Sequence, residues 1–487
     1  MLTRSEVRQH SGRKSCWVII HGTVYDVTDF LDEHPGGPAI LLQYGGRDAT
    51  EAFEPFHQRD TLKTYLSERQ ILGAISETGP GDNTASRETV APPTKRKRAR
   101  LSSIISISDF ESAASQNLPP RSFAFLKSGA EDEQAVRWND TSWKLIRLRP
   151  RVLRPIHNPD TSCTILGNPF SAPFFICPAG GARLAHPDGD KCLTRAAGRD
   201  GILHWTCSMS SFSIDEMAEA CAPGQVAYWQ IYAMNDLEVT ERQVKRAVKL
   251  GYKGFALTVD AIWAGKRERD LRANLDTSDE GDDEYDKTES EDSNYSNGPT
   301  VARSPVWPNF DWPTAVTWLR TLTTLPIAIK GIQTWEDAAL CMRYSVHPWL
   351  SNHGGRQLNS APSAAETLVS IRANCPAVFD KCEVIVDGGI SRGSDIVKAL
   401  ALGAKGVGVG RGFLYSIVFG EEGARKAMGI LEHEVQTTMA LLGVTEIGQL
   451  DSSYVDVSAL TGGSYKSREQ NKNRMTDAGL DPATLSV

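Results

Sequence analysis

Nowhere in the 487 residues is there an apolar run approaching the roughly 20 residues that a bilayer-spanning helix requires. The first ten residues, Met1 to His10, hold neither an apolar signal core nor an Arg/Ser-rich presequence. A cytoplasmic protein is therefore expected. The nine cysteines are scattered, odd in number and without paired spacing. That suits a reducing compartment better than a disulfide framework. An excess of basic charge is missing too: 53 Lys and Arg face 60 Asp and Glu, a net charge of −7. The chain as a whole thus lacks the field that would gather nucleic acid. With 40% hydrophobic and 23% charged residues it has ordinary globular composition, and its length allows two or three domains.

Against that background two histidines stand out. His34 opens His34-Pro35-Gly36-Gly37, and His57 closes Phe53-Glu54-Pro55-Phe56-His57. The tetrapeptide alone could be nothing more than a turn. Its flanks argue for more. Trp17 to Val27 reads as two short strands around a His21-Gly22 turn, and Phe30, Leu31, Ile40, Leu41 and Leu42 can line an apolar crevice. Residues 1–75 resemble a cytochrome b5 domain, with His34 and His57 at its two haem-ligand positions. An iron held axially by two histidines passes electrons and binds nothing else. His10 and His21 fall outside the motif and are expected to be solvated turn residues.

Two stretches of biased composition interrupt the chain. Residues 76–103, rich in Ser, Thr, Pro and Gly, read as a flexible linker carrying the basic run Lys95-Arg96-Lys97-Arg98-Ala99-Arg100. That run is expected to be solvated; nuclear import is the alternative reading. Asp276 to Asp292 holds ten acidic residues and one lysine. It reads as a disordered surface loop, at about 275–300, within an otherwise regular domain.

From residue 174 onward, eight apolar runs alternate with amphipathic helical segments. They are Phe174–Ala179, Gly201–Cys207, Val226–Tyr232, Gly254–Asp260, Leu325–Gly331, Pro348–His353, Glu383–Gly388 and Gly406–Arg411. Continuous apolar strands point to a parallel sheet, and eight of them to a closed (β/α)8 barrel, the TIM barrel. Helices are predicted over Asp236 to Leu250 and Ser394 to Leu402. The polar residues collect at the strand ends: Gln230 and Tyr232, Thr258 and Asp260, Lys330, His353 and Arg356, Asp387-Gly388-Gly389, and Gly410-Arg411. In this fold that edge carries the active site, and its seventh and eighth strands commonly hold phosphate. Glycines there permit close backbone approach and Arg411 adds a cation, so a phosphorylated cofactor is expected.

Ser351-Asn352-His353-Gly354-Gly355-Arg356-Gln357 carries a second resemblance. Residues 105–470 are similar to the FMN-dependent 2-hydroxy-acid-oxidising family, and the barrel domain is taken as 104–470 with a tail over 471–487. The fusion resembles the flavocytochrome b2 family of cytochrome-linked L-lactate dehydrogenases. That resemblance implies FMN and haem b as cofactors, oxidation of an L-2-hydroxy acid, L-lactate first, and one-electron delivery to cytochrome c or a similar acceptor. It also implies a homotetramer, and the mitochondrial intermembrane space as the alternative location. By resemblance His353 is the general base, Asp260 orients it, Tyr232 meets the reacting hydroxyl, and Arg356 and Arg267 hold the carboxylate. Lys330 faces the flavin, which Ala179, Cys207, Gln230, Thr258, Asp387, Gly388, Gly389, Gly410 and Arg411 would contact.

The chain departs from that pattern at several positions. Phe125 replaces a usual tyrosine at the substrate carboxylate, and Ser391 replaces an arginine at the flavin phosphate, for which Arg392 is the nearest substitute. Cys207 replaces a serine. Met209 lies near the expected substrate pocket, as a wall or as plain core. The sixth strand is one residue short and contains Pro348, which predicts some displacement of His353. Two other outcomes stay open: an oxidase that returns electrons to oxygen, and a decayed, non-catalytic haem and flavin carrier.

Overall fold

The computed structural model describes residues 2–31, 33–34, 38–58, 61–76, 99–275 and 307–461. The Pro35-Gly36-Gly37 turn, most of the linker with residues 95–98 of its basic run, the acidic stretch and the tail over 471–487 lie outside the described residues.

The first domain is a four-stranded antiparallel sheet of Ser11–Gly12, Ser15–Ile20, Thr23–Asp26 and Ile71–Ala74, paired in that order. The two strands expected around His21-Gly22 are there. His21 and Gly22 both have positive φ, 50° and 74°, the backbone that a two-residue hairpin turn demands. Short helices over Pro38–Gln43, Thr50–Phe53 and Thr61–Tyr65 stand over the sheet. Val18, Ile20, Val27, Leu31 and Leu66 are buried between them. His21 is exposed as expected, but His10 is not a plain solvated turn residue. It stacks on Trp17 with ring centroids 3.5 Å apart, and its Nδ1 lies 2.7 Å from Ser15 Oγ.

The second domain is a closed barrel of eight parallel strands. They are β1 (Phe174–Ile176), β2 (Leu203–Cys207), β3 (Ala227–Ile231), β4 (Phe255–Thr258), β5 (Ile327–Ile332), β6 (His347–Leu350), β7 (Ile385–Asp387) and β8 (Gly406–Val409). Each falls on one of the eight apolar runs. Six of the runs overshoot their strands at the C-terminal end, where the polar residues belong to the following loops; the second ends with its strand at Cys207 and the fifth stops one residue short of Ile332. Helices cover the outside, among them Leu237–Leu250, capped by the Asp236 carboxylate, and Gly393–Ala401.

The pleat divides the apolar residues into two cores. Inside the barrel Phe175, Leu203, Trp205, Tyr228, Ala256, Ala328, Trp349 and Ile385 are buried together. Trp205 lies with its centroid 4.8 Å from Tyr228 and 5.0 Å from Trp349. Such a core is a packed plug, and truncating one of its aromatics to Ala costs about 3–5 kcal/mol. A hairpin of Cys163–Ile165 and Asn168–Phe170 seals the N-terminal end, where Tyr228 Oη donates to Ile165 O at 2.6 Å. Chemistry is therefore confined to the opposite mouth. Pro348 sits within β6 opposite Ile329, and β6 still pairs with both neighbours. The irregularity falls in β5 between Lys330 and Ile332, at Gly331. Leu101 already packs on the barrel, and Lys426 Nζ donates to its carbonyl at 2.7 Å. Among the described residues no helix is long and apolar enough to cross a membrane.

Candidate active site

At the mouth, β4 and the loop after β6 bring Asp260 and His353 together. Asp260 Oδ1 accepts from His353 Nδ1 at 2.8 Å, and the carboxylate is almost fully buried behind the ring. The glycine bulge in β5 makes the space: a Cβ on Gly331 would stand 2.7 Å from Asp260 Cβ. His353 itself has φ 58°, a left-handed conformation uncommon for histidine. It is held there by Ser351 Oγ, which accepts from His353 N at 3.1 Å. Behind it Asn139 and Asn352 exchange two amide hydrogen bonds, at 2.8 and 2.9 Å. The shortened sixth strand has therefore not displaced His353 from Asp260.

Charge is arranged to leave His353 neutral and Asp260 ionised. Burial pushes the imidazole pKa down; Asp260 opposes this and Lys330 reinforces it, with a net lowering. Burial alone would raise the Asp260 carboxyl, but His353 and Lys330 outweigh it and hold it low. Lys330 comes from β5. Its desolvation is outweighed by Asp260 and Asp387, so it stays charged. Lys330 Nζ donates to Ser351 Oγ at 3.1 Å, and Ser351 Oγ donates to Asp387 Oδ1 at 2.7 Å. Asp387 Oδ2 also accepts from Trp349 Nε1 at 2.9 Å. Ser351 is thus a bridge that the sequence reading quoted without giving it a role.

Two arginines face this pair. Arg356 Nη1 donates to the carbonyls of Phe125 and Ser128, each at 2.9 Å, which fixes its guanidinium. Arg267 Nε is buried without a hydrogen-bond partner. Both guanidinium carbons lie over the Phe125 ring, at 5.2 and 5.8 Å from its centroid. Burial and their mutual repulsion lower the Arg356 pKa, which suits a site waiting for an anion.

His353, Lys330, Asp387 and the two arginines line one cavity of about 1580 Å³. Ala179, Met209, Gln230, Tyr232, Thr258, Gly388, Gly389, Gly410 and Arg411 line it with Phe125, Lys330, His353, Arg356 and Arg267. Gln230 Nε2 donates to Thr258 Oγ1 at 2.8 Å, while its buried Oε1 has no partner. A buried acceptor without a donor calls for a ligand N–H. At the phosphate side Gly389 has φ 77°, and a Cβ there would lie 2.1 Å from Asn139 O. Arg411 Nη2 donates to Gly354 O at 2.9 Å, holding its cation at the head of the helix Arg411–Ser416. The residues present therefore fit a flat ring with a phosphate tail.

Two of the residues expected at the cofactor do not line the cavity. Arg392 points away: its Nη1 donates to Glu434 Oε1 at 2.8 Å, and it does not line the cavity. Cys207 lies beneath the cavity wall, with its Sγ accepting from Met209 N at 3.3 Å. Ser391 does line the cavity, as does Cys177, which the sequence reading missed.

The same cavity continues into the first domain, where His34 and His57 line it. Their ring centroids are 5.9 Å apart. Two imidazoles on opposite sides of one metal, each nitrogen at about 2 Å, would place centroids about 6 Å apart. His57 Nδ1 donates to Phe53 O at 2.9 Å, which leaves Nε2 for a metal. Burial lowers the His57 pKa, keeping the imidazole neutral as ligation requires. The cavity exceeds the ~300–1,000 Å³ of a single-ligand pocket.

Comparison with known proteins settles the family. The profile described as FMN-dependent dehydrogenase matches residues 114–457. The chain belongs to the FMN-dependent dehydrogenase family. Ahead of that domain, residues 3–76 match the cytochrome b5-like haem/steroid binding domain, and the facing histidines make it a haem domain. The chain is 36% identical to the L-lactate dehydrogenase (cytochrome) of Wickerhamomyces anomalus, over 99% of this chain and 85% of that protein. It is also 36% identical to the protein of that description from Saccharomyces cerevisiae, over 94% and 80%. Among solved structures, a flavocytochrome b2 variant with pyruvate bound matches with a TM-score of 0.69 at 34% identity, covering 76% of this chain and 90% of that one. This family member is therefore an oxidoreductase with FMN and haem sites in one chain.

Proposed function

We propose that this chain oxidises an L-2-hydroxy acid, L-lactate first, and delivers the electrons singly through haem b to an external acceptor such as cytochrome c. The observation that carries this reading is the single cavity lined at one end by His353, which Asp260 holds from behind, and at the other by His34 and His57. A two-electron donor site and a one-electron exit share one space.

The residues divide the work. Arg356 and Arg267 bind the substrate carboxylate between them, with the Phe125 ring as floor and Met209 as a side wall. Tyr232 meets the reacting hydroxyl. His353, neutral at physiological pH, takes the proton, and Asp260 stabilises the imidazolium that forms. FMN, when bound, supplies the two-electron acceptor and haem the one-electron relay. Ala179, Gln230, Thr258, Gly388, Gly389, Gly410 and Arg411 would hold the FMN. Lys330 presents a fixed positive charge to the ring, and Asp387, through Ser351, keeps that ammonium in place. His34 and His57 would hold the haem iron. Phe125 in place of a tyrosine offers the carboxylate one hydrogen bond fewer.

Anaerobic rapid mixing of the holoenzyme with L-lactate and other 2-hydroxy acids tests the reading. Flavin bleaching should come first and the reduced-haem bands second. Under air, cytochrome c should be reduced with little peroxide. Stoichiometric peroxide with an oxidised haem would favour an oxidase instead.

A further inference from the structure

Phe53 to His57 is a helical turn that ends on a proposed haem ligand: Phe56 N and His57 N both donate to Phe53 O, at 3.2 and 3.1 Å. Carbonyls at the end of such a turn have no following helical N–H to accept from. The barrel supplies donors. Arg183, in the loop after β1, donates Nη1 to Glu54 O at 2.8 Å, and Ser211, in the loop after β2, donates Oγ to Pro55 O. In return Gln58 Nε2 donates to Ser210 O at 3.3 Å. Beside these bonds the Phe56 ring meets Phe125 edge-on, with centroids 5.0 Å apart.

The barrel loop is itself anchored. Ser210 and Ser211 are buried, and Ser210 Oγ donates to the buried Asp190 carboxyl at 2.9 Å while accepting from Phe212 N at 3.2 Å. A rigid platform thus meets a rigid turn through bonds to main-chain carbonyls.

We infer that Arg183 and Ser211 are positioning residues for electron transfer: they clamp the His57-bearing turn to the barrel mouth and so set the population of the docked, transfer-competent arrangement. The inference rests on the function proposed above. The step it serves moves one electron: reduced flavin loses it and ferric haem gains it, and no proton need cross between the domains. Neither residue lines the flavin cavity, so their loss should leave substrate oxidation alone.

The experiment compares the wild-type holoenzyme with Arg183→Ala/Ser211→Ala in anaerobic stopped flow, following both chromophores. Losing one hydrogen bond from a guanidinium and one from a hydroxyl lowers the docked population by about tenfold or more. The haem phase should slow by that factor while the L-lactate-driven flavin phase stays within about twofold of wild type. Equal FMN and haem contents guard against a folding defect, and Arg183→Lys, which keeps one donor, should recover part of the rate. An unchanged haem phase in the double variant overturns the clamp. Starting the reaction by photoreduction of the flavin makes the same comparison whatever acid the barrel oxidises, so an error about substrate is told apart from an error about docking.

Discussion

Replacing Asp260 by Asn removes one negative charge and little else. Asn can still accept from His353 Nδ1, at the 2.8 Å now bridged by the carboxylate. What is lost is the stabilisation of the imidazolium formed when His353 takes the substrate proton. Two unit charges about 4 Å apart interact by about 4 kcal/mol at an effective dielectric near 20. A charge-assisted hydrogen bond measured by mutation is worth about 1.5–3 kcal/mol. A loss of about 3 kcal/mol slows flavin reduction by roughly two orders of magnitude. Lys330 acts in the same direction, because Asp260 no longer offsets its charge beside the ring. The His353 pKa, already below the ordinary imidazole value, falls further, so the acid limb of the flavin-reduction profile should move to lower pH. Stopped-flow flavin bleaching at saturating L-lactate, from pH 5 to 9, measures both effects. FMN content and dithionite reduction of the haem serve as controls. A slowing of less than threefold in a variant with full FMN, or an acid limb moved to higher pH, would refute the role given to Asp260.

Three further outcomes follow from the same geometry. His57→Ala should abolish the haem absorbance bands while flavin bleaching by L-lactate persists, because His57 is one of two facing ligands and lies outside the acid–base pair. Gln230→Leu removes the partnerless buried acceptor and should weaken FMN binding about tenfold or more, read by flavin fluorescence on dilution. Asp190→Asn should stabilise the protein in a pH-dependent way. Burial raises the Asp190 pKa from 3.8 to about 6, so the folded state holds a proton that the unfolded chain has already lost between those values. Wild-type stability therefore falls as pH rises through that window, by about 3 kcal/mol in all. The variant's advantage in denaturant melts should be near zero at pH 4 and full above pH 7.

The barrel was legible because its strands are short, mostly apolar runs between helical segments; in β2 a period of two carries Leu203 and Trp205 into the inner core, with His204 and Thr206 between them. Strand ends were less legible: Tyr232, Asp260 and His353 belong to loops, and the left-handed backbone of His353 has no local signature beyond the glycines after it. The acid–base pair could be named in advance by family resemblance, although 93 positions separate its members. Arg392 shows the opposite case. Its place beside Ser391 suggested a phosphate ligand, but its partner is Glu434, 42 positions away on another helix. The contacts between domains had no sequence signal either. Arg183 and Ser211 read as ordinary loop residues until folding sets them against Glu54 and Pro55.

The central claim is that one hydroxy acid loads both redox centres of one chain. An anaerobic titration with L-lactate tests it most directly. Flavin takes two electrons and haem one, so about 1.5 equivalents should bring both chromophores to full reduction. An end point at about 1.0 equivalent, with flavin bleached and haem still ferric, would contradict it.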